Sequence, residues 1–177
     1  MSNFQIEKKI VLDYYNALDK AESNDITKVL KEHIAEDYIW RGYHPFNELL
    51  SCKEVSEIFW QPFRHAFKNM QRRMDIFMAG KNEIDGFESV WVVSMGHLMG
   101  LFDNEWLGIK PSRKIALLRY CEFNKVENGR ITETAMFIDI PHVMMQVGLN
   151  PFPPQTAAHL VQPGPITHEG LMFDEQD

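Results

Sequence analysis

The chain has 177 residues, 45% of them hydrophobic, and a formal net charge of −7. That size and apolar content predict a single folded domain with a substantial core. The acidic balance argues against nucleic acid and against an anionic membrane surface as partners, because both call for a basic face. The first residues, MSNFQIEKK, lack an apolar signal core, and no apolar run is long enough to span a bilayer, so a cytoplasmic protein is expected. Cys52 and Cys121 have no metal-like spacing and are expected to be reduced thiols.

Three helices are predicted first. Ile6, Ile10, Tyr14 and Leu18 form an apolar stripe at helical spacing between Phe4 and Ala21. Ser23, Asn24 and Asp25 interrupt it and lead into a second helix with Ile26, Val29, Leu30 and Ile34 on one side. An aromatic-dense segment with Tyr38, Trp40 and Tyr43 follows, read as a short strand and a packed loop marked by Gly42 and Pro45. Ser51 opens the third helix, with Glu54 completing a capping box. Val55, Ile58, Phe59, Phe63 and Phe67 give this helix its apolar face, and Pro62 is expected to kink it after Phe59.

After Gln71 the pattern changes to strands. Segments are predicted at about Arg73 to Ala79, Ser89 to Leu101, Arg113 to Val126, and Arg130 to Ile140. Turns at Asp85-Gly86 and Asn128-Gly129 make neighbouring strands antiparallel. Gly96 and Gly100 suggest bulges or bends. The link from Asp103 to Ser112 carries Trp106, expected to be exposed. Pro141 suits the first turn of a short helix that Gly148 stops. The fold class is therefore α+β: N-terminal helices packed on a strongly curved, mainly antiparallel sheet that encloses an elongated pocket, in one domain spanning residues 1–149. Residues 150–177 read as a proline-rich C-terminal extension.

Asp139 is the first candidate for chemistry. It ends an apolar strand, and alternation puts it on one face with Ile131, Glu133, Ala135 and Phe137. A carboxylate among apolar groups can serve as a general acid or base, or it can cap the helix that begins at Pro141. His97 shares a face with Trp91, Val93 and Met95; it can polarise a carbonyl, or simply be satisfied by its surroundings. Arg119 lies in a strongly apolar strand and needs a partner if buried, with Glu133 on the next strand as the expected one; the two either form a structural ion pair or help to orient a substrate. Arg119 alternates with Glu122, so the two face opposite ways. Tyr38, Trp40, Phe59 and Trp91 are candidates for the walls of a ligand pocket. No phosphate-binding loop, dinucleotide fingerprint, metal-ligand spacing or serine-hydrolase elbow occurs, so neither cofactor nor metal is expected.

Four pieces of sequence, in order, resemble the SnoaL-like polyketide cyclase family of the nuclear transport factor 2-like superfamily. They are Gly96-His97 with Gly100; Gly108-Ile109-Lys110-Pro111-Ser112-Arg113-Lys114; Glu122-Phe123 before Asn128-Gly129-Arg130-Ile131 and Glu133; and Asp139 followed by Val143-Met144-Met145-Gln146-Val147-Gly148. Together the resemblance spans about Ile6 to Gly148. It implies a cone-shaped fold around a cavity, a homodimer, and a cofactor-independent reaction in which Asp139 is acid and base, with His97 beside it. Lys110 and Arg113 depart from the family's link. The resulting expectation is a binder of a small apolar carbonyl compound, either an enzyme of cyclase, isomerase or dehydratase type or a non-catalytic ligand-binding or dimerisation module.

Overall fold

A computed structural model describes residues 4–154. The extension expected from residue 150 lies, from 155 onward, outside the described residues. Helices α1 (Gln5–Lys20) and α2 (Ile26–His33) come first, and their stripes are buried through Val11, Tyr14, Tyr15, Leu18, Ile26 and Leu30. Strands β1 (Ile34–Tyr43) and β2 (Asn47–Leu49) form a short antiparallel pair. Helix α3 (Cys52–Glu54) then runs into a wide π-helical stretch (Val55–Trp60) and on into α4 (Gln61–Ala66).

The expected kink takes this π form. Pro62 has no N–H for the turn before it, and the widened turn at Val55–Trp60 accommodates the loss. The cap at Ser51 is as read, with its hydroxyl accepting from the Glu54 N–H at 3.2 Å. Glu54 reaches back one residue further than a capping box requires, to the Leu50 N–H at 2.8 Å.

Strands β3 (Phe67–Lys81), β4 (Val90–Phe102), β5 (Ile115–Glu127) and β6 (Arg130–Ile138) complete a six-stranded sheet in the order β2-β1-β6-β5-β4-β3. Every pairing is antiparallel except β1 with β6. The Asn128-Gly129 turn has positive φ at both residues, 50° and 78°, as a tight two-residue hairpin requires. Helix α5 (Ile140–Gln146) follows β6 directly.

The helices cover one face of the sheet and leave the other open. Val92, Ser94, Leu98, Ala116, Leu118, Tyr120, Glu122, Asn124, Thr134 and Met136 point to the covered face and are buried. Their alternates point to the open one.

Four details differ from the sequence reading. Strand β3 begins at Phe67, six residues before the expected start at Arg73, which brings Arg72 into the sheet. Ile131 does not share a face with Asp139: the register slips between Lys125 and Val126, leaving Thr132 as an extra residue and turning Ile131 into the core. Trp106 is 2% exposed, packed against Phe46, Phe63 and Phe67 rather than facing solvent. The irregularity expected at Gly96 falls in the neighbouring strand, where Asp75 is the extra residue between Met74 and Ile76. Gly96 makes room for it: a Cβ there would lie 2.0 Å from the Arg73 carbonyl oxygen.

Candidate functional site

The sheet divides the residues singled out by sequence into two sets. Tyr38, Trp40 and Phe59 are on the covered side, at 1%, 1% and 0% exposure. Asp139, His97, Arg119, Trp91 and Glu133 are on the open side. The sheet lies between the sets, so one small ligand does not touch both.

On the open face the cross-strand register assembles a row. Arg73 on β3 pairs with His97 on β4, and His97 with Arg119 on β5. The Asp139 N–H donates to the Arg119 carbonyl at 3.0 Å, which extends the row past the end of β6. Side chains so aligned lie close enough to interact. Arg119 Nη1 is 3.9 Å from Asp139 Oδ2. Asp75, turned out by its bulge, lies 3.3 Å from Arg73 and 3.4 Å from His97 Nδ1. Burial lowers the His97 pKa, and Arg119 lowers it further, against the raising influence of Asp75. Glu133 is not the partner of Arg119. It pairs with Arg41, which also reaches Glu48 at 3.1 Å, because β1 rather than β5 presents the nearer cation.

Asp139 caps α5: Oδ1 accepts the His142 N–H at 3.0 Å. Oδ2 is the oxygen turned toward Arg119. The two residues share a pocket of about 390 Å³ whose other walls include Met95, Cys121, Phe137, Ile138 and Pro141. Such a setting, mostly apolar with a few convergent polar groups, suits a small-molecule site. Asp139 and Arg119 are not deeply buried, with 35% and 52% of their side chains exposed. Trp91 lines an adjoining apolar trough, and Phe137 belongs to both hollows.

The covered side holds Glu122 together with two charged groups that sequence reasoning missed, Arg72 and Asp19. Arg72 Nη1 donates to Glu122 at 3.2 Å, and Arg72 Nε lies 3.5 Å from Asp19. The guanidinium sits 3.9 Å from the Tyr15 ring centroid and 5.1 Å from that of Tyr120. Asn124 donates to the Tyr15 hydroxyl and accepts from Thr134, while Ser94 meets Tyr120. Burial raises the pKa of Glu122 and of Asp19, with Arg72 opposing it. For Arg72 burial works against the charge, but Glu122 and Asp19 outweigh it and hold the cation. A lone Arg72 at a presumed strand boundary carried no signal of burial. The opposite facing of Glu122 and Arg119 did.

Among the described residues no helix is long and apolar enough to cross a membrane, and no group of three His, Cys, Asp or Glu side chains is placed to hold a metal. Cys52 and Cys121 are both free thiols.

No protein-family model matches the chain, and no curated protein matches it in sequence. Solved structures do match. AclR from Streptomyces galilaeus, a candidate hydroxylase, has a TM-score of 0.63 at 17% identity, covering 84% of this chain and 85% of its own. IdmH from Streptomyces antibioticus, a candidate polyketide cyclase, has a TM-score of 0.60 at 17% identity, covering 77% and 97%. A SnoaL-like candidate polyketide cyclase from Shewanella denitrificans has a TM-score of 0.60 at 18% identity, covering 81% and 97%. The chain has the nuclear transport factor 2-like fold of SnoaL-like proteins. The names attached to that fold already include cyclase and hydroxylase, so the fold leaves the reaction open.

Proposed function

We propose that this protein binds a small, largely apolar molecule bearing a carbonyl oxygen in the pocket between Arg119 and Asp139. One observation carries the reading: these two charged groups, 3.9 Å apart, share the wall of an otherwise mostly apolar hollow, with His97 directly across from Arg119. Arg119 would receive the carbonyl oxygen and stabilise negative charge developing on it. Asp139 would remove a proton next to that carbonyl through Oδ2 and return it, while the His142 N–H holds Oδ1 in place. His97 would relay a proton beside Arg119. Acid–base catalysis of this kind is worth about 10²–10⁴-fold. Cyclisation, isomerisation and dehydration all begin with such a step and require no cofactor.

A non-catalytic binding role is favoured by a different observation. Among the described residues the hydrogen bond that the Asp139 side chain makes is the helix cap, which accounts for the residue without any reaction. Native mass spectrometry of the freshly purified protein, followed by turnover assays on the molecule it carries, separates the two. Arg119→Met should lose the bound molecule. Asp139→Asn should keep it and abolish turnover if Asp139 is the acid and base, or leave everything unchanged if it is only a cap. A molecule that stays bound in Arg119→Met would remove the pocket from consideration.

A further inference from the structure

Ile138 and Pro141, which line the Arg119–Asp139 pocket, also line a separate hollow of about 600 Å³. Its other walls are Leu107 and Ile109, from the link after β4, and Met144 and Leu149, from α5 and the residues after it. It shares Gly108 and Leu149 with a further hollow of about 550 Å³ that takes in Lys110, Ser112 and Lys114. The first of the two is mostly apolar and the second carries the lysines. Both are of the size that holds small molecules.

The walls are fixed by the fold. Trp106 and Ile109 exchange N–H···O bonds of 3.2 and 2.8 Å, and Leu107 and Gly108 between them have φ of 53° and 76°, the positive pair of a tight turn. The side chains of Trp106 and Ile109 are buried in the core. The turn is therefore anchored at both ends while Leu107 stays 43% exposed at the hollow. On the opposite wall Gln146 ties α5 to β5, accepting the Leu117 N–H at 2.9 Å and donating to the Leu117 carbonyl at 2.8 Å. The Leu149 N–H donates to the Met144 carbonyl at 2.9 Å. A hollow held in shape by such bonds does not have to be ordered by its ligand.

Charge names the ligand. The chain has 25 acidic residues against 18 Lys and Arg, yet among the described residues no carboxylate lines either hollow. Arg113, in the same link, is taken up by Asp103. Lys110 and Lys114 form no ion pair among the described residues. We propose that the two hollows together bind a small amphipathic anion, its alkyl or aryl body between Leu107 and Met144 and its carboxylate or phosphate head beside Lys110 and Lys114. Apolar contact supplies the affinity, and the lysines select the charged end. Nothing in this assignment depends on a carbonyl compound in the Arg119–Asp139 pocket.

The test titrates the full chain with hexanoate, octanoate and decanoate, each below its micelle concentration, by calorimetry and by amide chemical-shift mapping. Binding should saturate, tighten by about two- to fourfold per added methylene, and shift the amides of Leu107, Gly108, Met144 and Leu149. Lys110→Gln combined with Lys114→Gln should weaken decanoate by about tenfold, two exposed charges being worth little more. Decanol should bind the protein and this variant equally. Decyl phosphate beside decanoate identifies the head, since the tighter of the two is the one the lysines prefer. Leu107→Asp, at a positive φ that Asp tolerates, should abolish binding with an unchanged far-ultraviolet dichroism spectrum. Absence of saturable binding, decanoate no tighter than decanol, or full affinity in the double lysine variant would overturn the assignment. Arg119→Met should bind decanoate as the unaltered protein does. Loss of decanoate there would put the anion in the Arg119–Asp139 pocket and overturn the assignment as well, whereas failure of carbonyl compounds to bind that pocket leaves it standing.

Discussion

Arg72 and Glu122 meet at 3.2 Å with 2% and 1% of their side chains exposed. A charge pair this far from water is costly to break and not necessarily favourable to have. Arg72→Met should therefore destabilise the protein by about 3–5 kcal/mol, since Glu122 would be left without its cation. The double variant Arg72→Met, Glu122→Leu should recover much of that loss. Chemical denaturation of the two variants checks it; equal destabilisation would mean that the pair is not coupled.

The same network sets a pH dependence. Glu122 and Asp19 have pKa values raised by burial, so the folded state favours their neutral forms. Their contribution to stability is fully present below the ordinary carboxylate range and is lost as pH rises through the raised values. Glu122→Gln should flatten that part of the stability–pH curve. An unchanged curve would contradict the assignment.

His97 behaves in the opposite sense. Its pKa is lowered, chiefly by burial, so its contribution is present above the ordinary histidine value and is lost as pH falls through the folded one. Asp75 opposes the shift, which predicts that Asp75→Asn moves the His97 titration lower still. Two-dimensional NMR of the histidine ring protons reads this directly; an upward movement would exclude the Asp75 contact.

At the cap, Asp139→Ala should cost about 0.5–2 kcal/mol, whereas Asp139→Asn, which can accept the same N–H, should cost little. Thermal denaturation of both variants distinguishes a lost cap from a lost charge: equal losses would assign the effect to the Arg119 pairing instead.

Gly96→Ala should be among the most damaging small changes, with a cost of about 1–3 kcal/mol, because the new methyl would meet the Arg73 carbonyl at 2.0 Å and the backbone must shift. A neutral effect in denaturation would mean that the bulge at Asp75 adjusts freely.

The elements were largely legible because periodicity, the Asn128-Gly129 turn, the Ser51 cap and the Pro141 helix start are local signals. Alternation also placed Arg119 and Glu122 on opposite faces correctly. What it could not show was which face the helices cover. Tyr38, Trp40 and Phe59 were grouped with Asp139 and His97 as one candidate site, yet the sheet stands between them. Long-range register decided the rest. β1 beside β6 gives Glu133 to Arg41, and six more residues in β3 bury Arg72 against Glu122. The slip at Thr132 turned Ile131 inward, a change no pattern within β6 announces.

The central claim is that the Arg119–Asp139 pocket binds small carbonyl compounds. It is tested most directly by amide chemical-shift mapping with a panel of cyclic and aromatic ketone fragments. Perturbations should cluster at Arg119, Cys121, Phe137 and Asp139 and disappear in Arg119→Met. Perturbations confined to the covered side, around Tyr38, Trp40 and Phe59, would contradict it.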